Sequence, residues 1–335
     1  MTQATGVGSW PGTNVREALR AVRELLGALD DDGVTGLPYL PELPARGPGG
    51  DLVGRGAGLL VELPVDVQPA GWRLVDRPGR DVARTLAFWR QDLDELAEAF
   101  EGYAGPLKLQ VGGPWTLAAS LRLARGERAV VDEGACRDIV ESLAEGVRRL
   151  VTDVQRLVPG AQLVLQLDEP SLPAVLEGRL PTASGFGRLS AVDPQVVGSA
   201  LRAVLAEAGD RHTLVHCCAA SVPIPLLRDC RATGISVDTS LLTPRGWEGL
   251  AVAAEEGLTV YAGCVPTGGL PDAPAAEIAG SVAQAWQRLG MPAQSLQDLA
   301  VTPACGLAGL SLQEATERQR LAVEVARHLR DRADG

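Results

Sequence analysis

Short apolar runs alternate with long amphipathic stretches almost from end to end of the chain, and few folds accommodate that rhythm. Eight Val- and Leu-rich runs read as strands, near residues 4–9, 34–40, 106–112, 161–168, 212–217, 234–239, 258–264 and 299–304. Apolar residues at helical spacing predict helices over 14–29, 82–103, 135–158, 194–208, 246–256, 273–290 and 312–332. Thr13 is the expected N-cap of the first helix, and Asp193-Pro194 places a capping carboxylate and a proline at another helix start. Strands buried on both faces, each followed by a helix, belong to a parallel sheet covered by helices. The expected fold is therefore α/β, a (β/α)8 TIM barrel. An open doubly wound sheet is the alternative, weakened because no Gly-rich dinucleotide turn follows the first strand.

Residues 40–80 break the rhythm, being rich in Pro and Gly. They read as a long excursion after the second strand, partly over the barrel mouth, with Asp51 capping a short helix over 52–62. Loops of this length are commonly functional. No internal repeat or low-complexity linker interrupts the chain, so residues 1–335 read as a single catalytic barrel domain.

With 46% hydrophobic and 22% charged residues the chain can build a large core and is not a disordered sequence. A net charge of -11 repels phosphate backbones and argues against nucleic-acid binding. Lys108 is the only lysine, which reads as GC-rich codon usage rather than chemistry. MTQATGVGSW lacks a basic segment followed by an apolar one, so no signal peptide is expected, and no apolar run is long enough to span a membrane. Six cysteines, two of them adjacent, are too sparse for a disulfide scaffold and fit a reduced, cytoplasmic protein.

The chemistry concentrates at strand ends. His216 and Cys218 in LVHCCA lie two apart and share a face if the strand persists, whereas Cys217 points the other way. Asp238 ends the next strand and Cys305 ends the eighth. In a barrel all four reach one rim, where a nitrogen, two sulfurs and a carboxylate suit zinc. Each residue also has a plainer reading: a buried Cys is usually packing, and Asp before Thr-Ser can cap a turn. Such a metal site suits a substrate thiol, because ligation favours the thiolate, the competent nucleophile.

A second group of residues suits an amino acid. Gly8 and Ser9 end the first strand beside a helix N-terminus, a favourable place for a carboxylate. Asp168 and Glu169 end the fourth strand; by alternation one faces the pocket, where it can hold an ammonium group or manage protons. Glu42 can add a further carboxylate. Trp115 can wall a flat ligand, although an aromatic at a helix start is more often packing. Together these describe a site for an amino-acid thiol such as homocysteine.

Six segments in order, GSWPGT at 8–13, GGPWTL at 112–117, LQLDEPSL at 165–172, HCC at 216–218, VDTS at 237–240 and PACGL at 303–307, resemble the C-terminal catalytic barrel of cobalamin-independent methionine synthases. The resemblance implies zinc held by His216, Cys218, Asp238 and Cys305, and amino-acid binding by Ser9, Asp168 and Glu42. It implies transfer of a methyl group to homocysteine from 5-methyltetrahydrofolate, or from a methyl-corrinoid or corrinoid protein, as short core forms of the family suggest. The chain departs from the family in three ways. Asp238 stands where the family has Glu. The proton-donating His after strand seven is replaced by TVYAGCVPTGG, which offers Cys264 or its neighbours as the catalytic group beside Asp168. The family's additional N-terminal barrel has no counterpart in these 335 residues. Two other readings compete: a non-catalytic zinc- and thiol-binding barrel, and a metal-free barrel of the uroporphyrinogen decarboxylase type.

Overall fold

The computed structural model describes residues 2–27, 33–268 and 273–335. Its strands are β1 (Thr2–Thr5), β2 (Val34–Leu37), β3 (Val65–Gln68), β4 (Gly71–Leu74), β5 (Pro106–Gly112), β6 (Gln162–Asp168), β7 (His212–Cys217), β8 (Gly234–Asp238), β9 (Thr259–Val265) and β10 (Ala300–Pro303). Eight of them form one parallel sheet in the order β2-β1-β10-β9-β8-β7-β6-β5. The sheet curls until its ends meet: the Lys108 N–H donates to the Pro38 carbonyl at 2.8 Å, and the Leu40 N–H donates to the Lys108 carbonyl at 3.1 Å. The result is the expected (β/α)8 barrel rather than the open sheet.

Strand alternation sorts the side chains into two environments. Leu107, Leu109, Val111, Leu163, Leu165 and Leu167 point outward into the main core, where the helices pack on the strands. Each such buried side chain stabilises the fold by roughly 1.5–3 kcal/mol. Leu37, Val164, Leu214, Tyr261 and Ala300, from five different strands, form a separate cluster inside the barrel. Further along the same inward rows the residues turn polar: Lys108 and Gln110 on β5, Gln166 and Asp168 on β6, His216 on β7 and Ser236 on β8, all buried. The parallel register sets Asp168 beside His216 and His216 beside Ser236. The barrel thus has an apolar floor and a polar mouth.

The helices largely match the periodicity. The first runs Val15–Leu26 and is capped by Asn14, not Thr13, because the Asn14 side chain accepts from the N–H groups of Arg16 and Glu17; expected helical residues 28–29 lie outside the described residues. Asp193 caps the helix Pro194–Ala206. β1 ends at Thr5, earlier than the expected 4–9 run, and the chain then passes close under other elements. A Cβ on Gly6 would stand 2.5 Å from the Tyr39 ring, so only glycine fits that passage.

The excursion is built, not loose. Asp51 caps the helix Leu52–Leu59, and β3 and β4 pair as an antiparallel hairpin that the pattern of Pro and Gly concealed. Arg46 and Arg55 both reach the buried Asp92 on the helix Arg80–Ala99: Arg46 donates at 2.6 Å, and Arg55 makes a short charge-assisted bond to the other oxygen. The Arg55 guanidinium also stacks over Trp89 at 3.9 Å. Among the described residues no helix is long and apolar enough to cross a membrane.

Candidate active site

The adjacent acids of β6 separate as alternation demands. Asp168 faces the mouth, 6% exposed, and accepts from the Gln166 side-chain amide at 2.7 Å. Glu169 faces outward and accepts from Trp115 N–H at 2.9 Å, Thr116 N–H at 2.7 Å and the Thr116 hydroxyl at 2.7 Å. It anchors the N-terminus of the helix Pro114–Ser120 and takes no part in the mouth. Burial raises the Glu169 carboxyl to about 7 against those three hydrogen bonds, which oppose the shift.

The excursion delivers Glu42 to the same mouth. Its backbone is clamped to the end of β1: Glu42 N–H donates to the Gly8 carbonyl at 3.1 Å, and Trp10 N–H donates to the Glu42 carbonyl at 2.8 Å. The Glu42 carboxyl is buried, its Oε1 has no hydrogen-bond partner, and its nearest cationic atom is Arg55 Nε at 3.9 Å. Burial lifts it to about 7, with Arg55 opposing. Burial also lifts Asp168 well above the usual carboxylate range, and the Glu42 charge adds to that. Both carboxyls, from distant parts of the chain, are buried, and the Glu42 charge is felt at Asp168.

Ser9 lies at the rim of β1 against the turn after β10. Leu307 N–H donates to the Ser9 carbonyl at 2.9 Å and Ala308 N–H to its hydroxyl at 3.4 Å. A Cβ at position 306 would stand 2.0 Å from that hydroxyl oxygen, which explains glycine after Cys305. The structure thus brings Gly8, Ser9, Glu42 and Asp168 to one mouth. It does not bring Trp115 there: that ring is buried in the outer layer, with its indole N–H on the Val197 carbonyl at 3.1 Å.

Of the four expected sulfur, nitrogen and carboxylate donors, two meet and a third, His216, lies beside them. Cys218 and Cys305 have their sulfurs 3.3 Å apart. His216, 3% exposed, places Nδ1 2.8 Å from the Ser236 hydroxyl, while its Nε2 is buried without a hydrogen-bond partner. Cys305 lies near enough to the imidazole for the two to shift each other's pKa, although no hydrogen bond of ordinary geometry satisfies Nε2. Burial lowers the His216 pKa and keeps the ring neutral. Within the cysteine pair the contact splits the two thiols: Cys305 is pushed down by its bond to Cys218 and by His216, while Cys218 is pushed up by its bond to Cys305 and by burial. Asp238 does not join them: its Oδ1 accepts from the Ser240 N–H at 2.9 Å and the Ser240 hydroxyl at 2.6 Å, capping the 3-10 turn Thr239–Leu241. Among the described residues no group of three or more His, Cys, Asp and Glu side chains is assembled to hold a metal ion. The chemistry of the donors nonetheless fits zinc: two sulfurs, and an imidazole whose buried Nε2 has no hydrogen-bond partner. Cys217 is fully buried and its thiol is raised to about 12 by that burial, as suits its outward face.

Two expectations fail on geometry. Cys264 packs against the outer core, because Gly263 occupies the inward position beside Asp238; the thiol, raised to about 12 by burial, does not stand in for a histidine at the mouth. Lys108 is not a codon-usage accident. It is fully buried at the centre of the barrel and donates to the carbonyls of Gly6 at 2.5 Å and Val7 at 2.9 Å and to Gln166 Oε1 at 2.6 Å. The signal was present in KLQV and LQLD, where polar residues recur at inward positions of apolar strands.

The family described as the catalytic domain of cobalamin-independent synthase matches residues 1–328. Among solved structures, a B12-independent methionine synthase from Shewanella sp. W3-18-1 in complex with selenomethionine aligns over 96% of this chain and 96% of its own, at 14% identity and a TM-score of 0.63, a likeness of fold. A methylaspartate ammonia lyase from Clostridium tetanomorphum aligns over 97% of this chain and 57% of its own, at 12% identity and a TM-score of 0.45. The comparison with curated proteins finds no match. A cobalamin-independent family gives no support to a methyl-corrinoid or a corrinoid protein as donor, and it displaces both the non-catalytic and the decarboxylase readings. The chain belongs to the cobalamin-independent methionine synthase catalytic-domain family, the homocysteine S-methyltransferases.

Proposed function

We propose that the mouth of this barrel binds homocysteine by its amino-acid end and methylates its sulfur with 5-methyltetrahydrofolate as donor. The observation that carries this is one shared mouth: Glu42 clamped by its backbone to the end of β1, Asp168 in register with His216 on the next strand, and the paired sulfurs of Cys218 and Cys305. Glu42 and Asp168 take the substrate ammonium, and the rim of β1 at Gly8 and Ser9 takes its carboxylate. That orientation carries the side chain of a short amino acid toward the sulfurs. His216, Cys218 and Cys305 are the residues that would hold zinc, with Asp238 as fourth donor once released from Ser240. Zinc bound there supplies Lewis acidity that favours a thiolate over a thiol at neutral pH.

The residues contribute mainly by placement. A substrate gripped at both ends of its amino-acid group presents its sulfur in a narrow range of directions, and such orientation is worth several orders of magnitude in rate. Ser236 holds the His216 ring through Nδ1, and in the tautomer with the proton on Nδ1 it leaves Nε2 as an acceptor. The excursion and the barrel act as one catalytic unit, since Glu42 comes from the former and Asp168 from the latter. Six unpaired cysteines are in keeping with a cytoplasmic setting.

The test is a single-turnover assay with homocysteine and 5-methyltetrahydrofolate on zinc-loaded protein, comparing wild type with Asp168→Asn. Methionine formed by the wild type and lost in the variant supports the reading. An Asp168→Asn enzyme as fast as wild type at limiting homocysteine removes Asp168 from substrate binding.

A further inference from the structure

We infer that Lys108 is a positioning residue for amino-acid recognition: its ammonium fixes the direction of the Gln166 side-chain amide, and Gln166 in turn presents an N–H to Asp168. The inference rests on the reading that Asp168 receives the substrate ammonium. Lys108 is the only lysine of the chain and is fully buried, so no surface role competes for it. Its three hydrogen bonds go to three acceptors, the carbonyls of Gly6 and Val7 and Gln166 Oε1. Three acceptors around one nitrogen match an ammonium group, which has three protons and no lone pair. No carboxylate touches it. Burial pulls its pKa down to about 7, and Asp168 and Glu42, acting only at a distance, oppose that fall.

The consequence lies in the polarity of Gln166. A glutamine amide can be turned end for end with little change of shape. Lys108 has no use for an N–H partner, so Oε1 must face it. The NH2 end then points the other way, where it donates to the Val7 carbonyl at 2.8 Å and to Asp168 Oδ1 at 2.7 Å. The two polar inward residues of β6 are thereby ordered by a charge on β5. The Val7 carbonyl accepts from both Lys108 and Gln166, which ties the amide and the ammonium to one backbone point. Without the ammonium, Oε1 loses its only partner from β5, and the amide is held at its NH2 end alone, which loosens the bond it presents to Asp168.

The test uses calorimetric binding of two probes to the purified full-length protein: L-methionine, and its desamino analogue, which keeps the carboxylate and thioether but lacks the ammonium. Neither probe carries a thiol. The variants are Lys108→Met, Gln166→Leu and Asp168→Asn, each checked by thermal melting. Lys108→Met and Gln166→Leu should weaken methionine by about 10–100-fold, the worth of a hydrogen bond to a charged group, while leaving the analogue's affinity as in wild type. Equal weakening of both probes, or of neither, overturns the positioning role. If Lys108→Met does not fold, Gln166→Leu alone decides, because it cuts the link while keeping the lysine. Asp168→Asn separates the two readings. Loss of the preference for methionine in that variant, with the preference intact in the other two, sinks the relay and keeps the site. An unchanged preference in Asp168→Asn sinks the site reading itself.

Discussion

The two sides of the barrel mouth are finished to different degrees. On the carboxylate side, Asp168, Gln166 and Lys108 hold one another through a chain of hydrogen bonds, and the Glu42 backbone is clamped to β1. On the sulfur side, Ser236 supports His216, Cys218 and Cys305 lean on each other, and Nε2 of the histidine is left with nothing. Buried polar atoms without partners are rare in folded proteins. On the proposed reading, the amino-acid end is held mainly by bonds within the chain, although Glu42 Oε1 also lacks a partner, whereas the sulfur end keeps a bare imidazole nitrogen beside two thiols.

The largest expected break in that comparison is Cys218→Ser or Cys305→Ser. Either should abolish both zinc retention, read by elemental analysis, and methyl transfer, while the binding of L-methionine by the carboxylate side survives. Full zinc content in either variant removes that residue from the ligand set. Next comes Asp92→Ala, which acts on the support of the carboxylate side. It strands the buried guanidinium groups of Arg46 and Arg55, and loss of one partner from a buried ion cluster costs about 3–5 kcal/mol. Urea unfolding measures this; a loss within experimental error would mean that the excursion is not fastened through Asp92.

Ser236→Ala sharpens the contrast from the sulfur side. It should weaken zinc by about 10–100-fold without touching methionine affinity, as loss of an orienting hydrogen bond to a metal-binding histidine does. A competitive chelator titration reads it, and unchanged zinc affinity would show that the imidazole needs no guide. The smallest effect is expected from Glu42→Gln. In the folded protein Glu42 holds its proton up to about 7, against 4.5 for a free side chain. Between those values the native state binds the extra proton, so stability falls as pH rises from about 4.5 to about 7. Glu42→Gln should flatten part of that slope in thermal melts taken across the window, leaving the parts that come from Glu169 and Asp168, whose shifts have the same sign. A slope identical to wild type would mean that Glu42 is ionised throughout.

Most of the barrel was legible because its strands carry a strong apolar signature and its helices a long period. β5 and β7 occupy the runs read from the residues, 106–112 and 212–217. β1 was misplaced because GVGSW continues the apolar text after the pairing has ended, and only the crowding at Gly6 reveals the stop. The β3–β4 hairpin was hidden by neighbouring Pro and Gly. At the site, alternation was enough to gather His216, Cys218 and Asp168. It was not enough for Asp238, where a local bond to Ser240 competes with any distant partner, nor for Trp115, whose pocket is made by a helix far along the chain. Arg46, Arg55 and Asp92 carry no local signal at all, since a buried ion cluster is a property of three segments meeting.

The splitting of Asp168 from Glu169 has a consequence for how such a protein can change over time. One peptide step separates a carboxylate that serves the mouth from one that fastens the helix Pro114–Ser120. Insertion or deletion of a single residue within β6 would exchange the two acids, aiming the longer one at the ligand and leaving the helix end untied. Point changes along that strand can be tried one at a time, but its length cannot drift. Diversification among relatives should therefore accumulate as gains and losses in the 40–80 excursion, with the count of residues leading into the acid pair held constant.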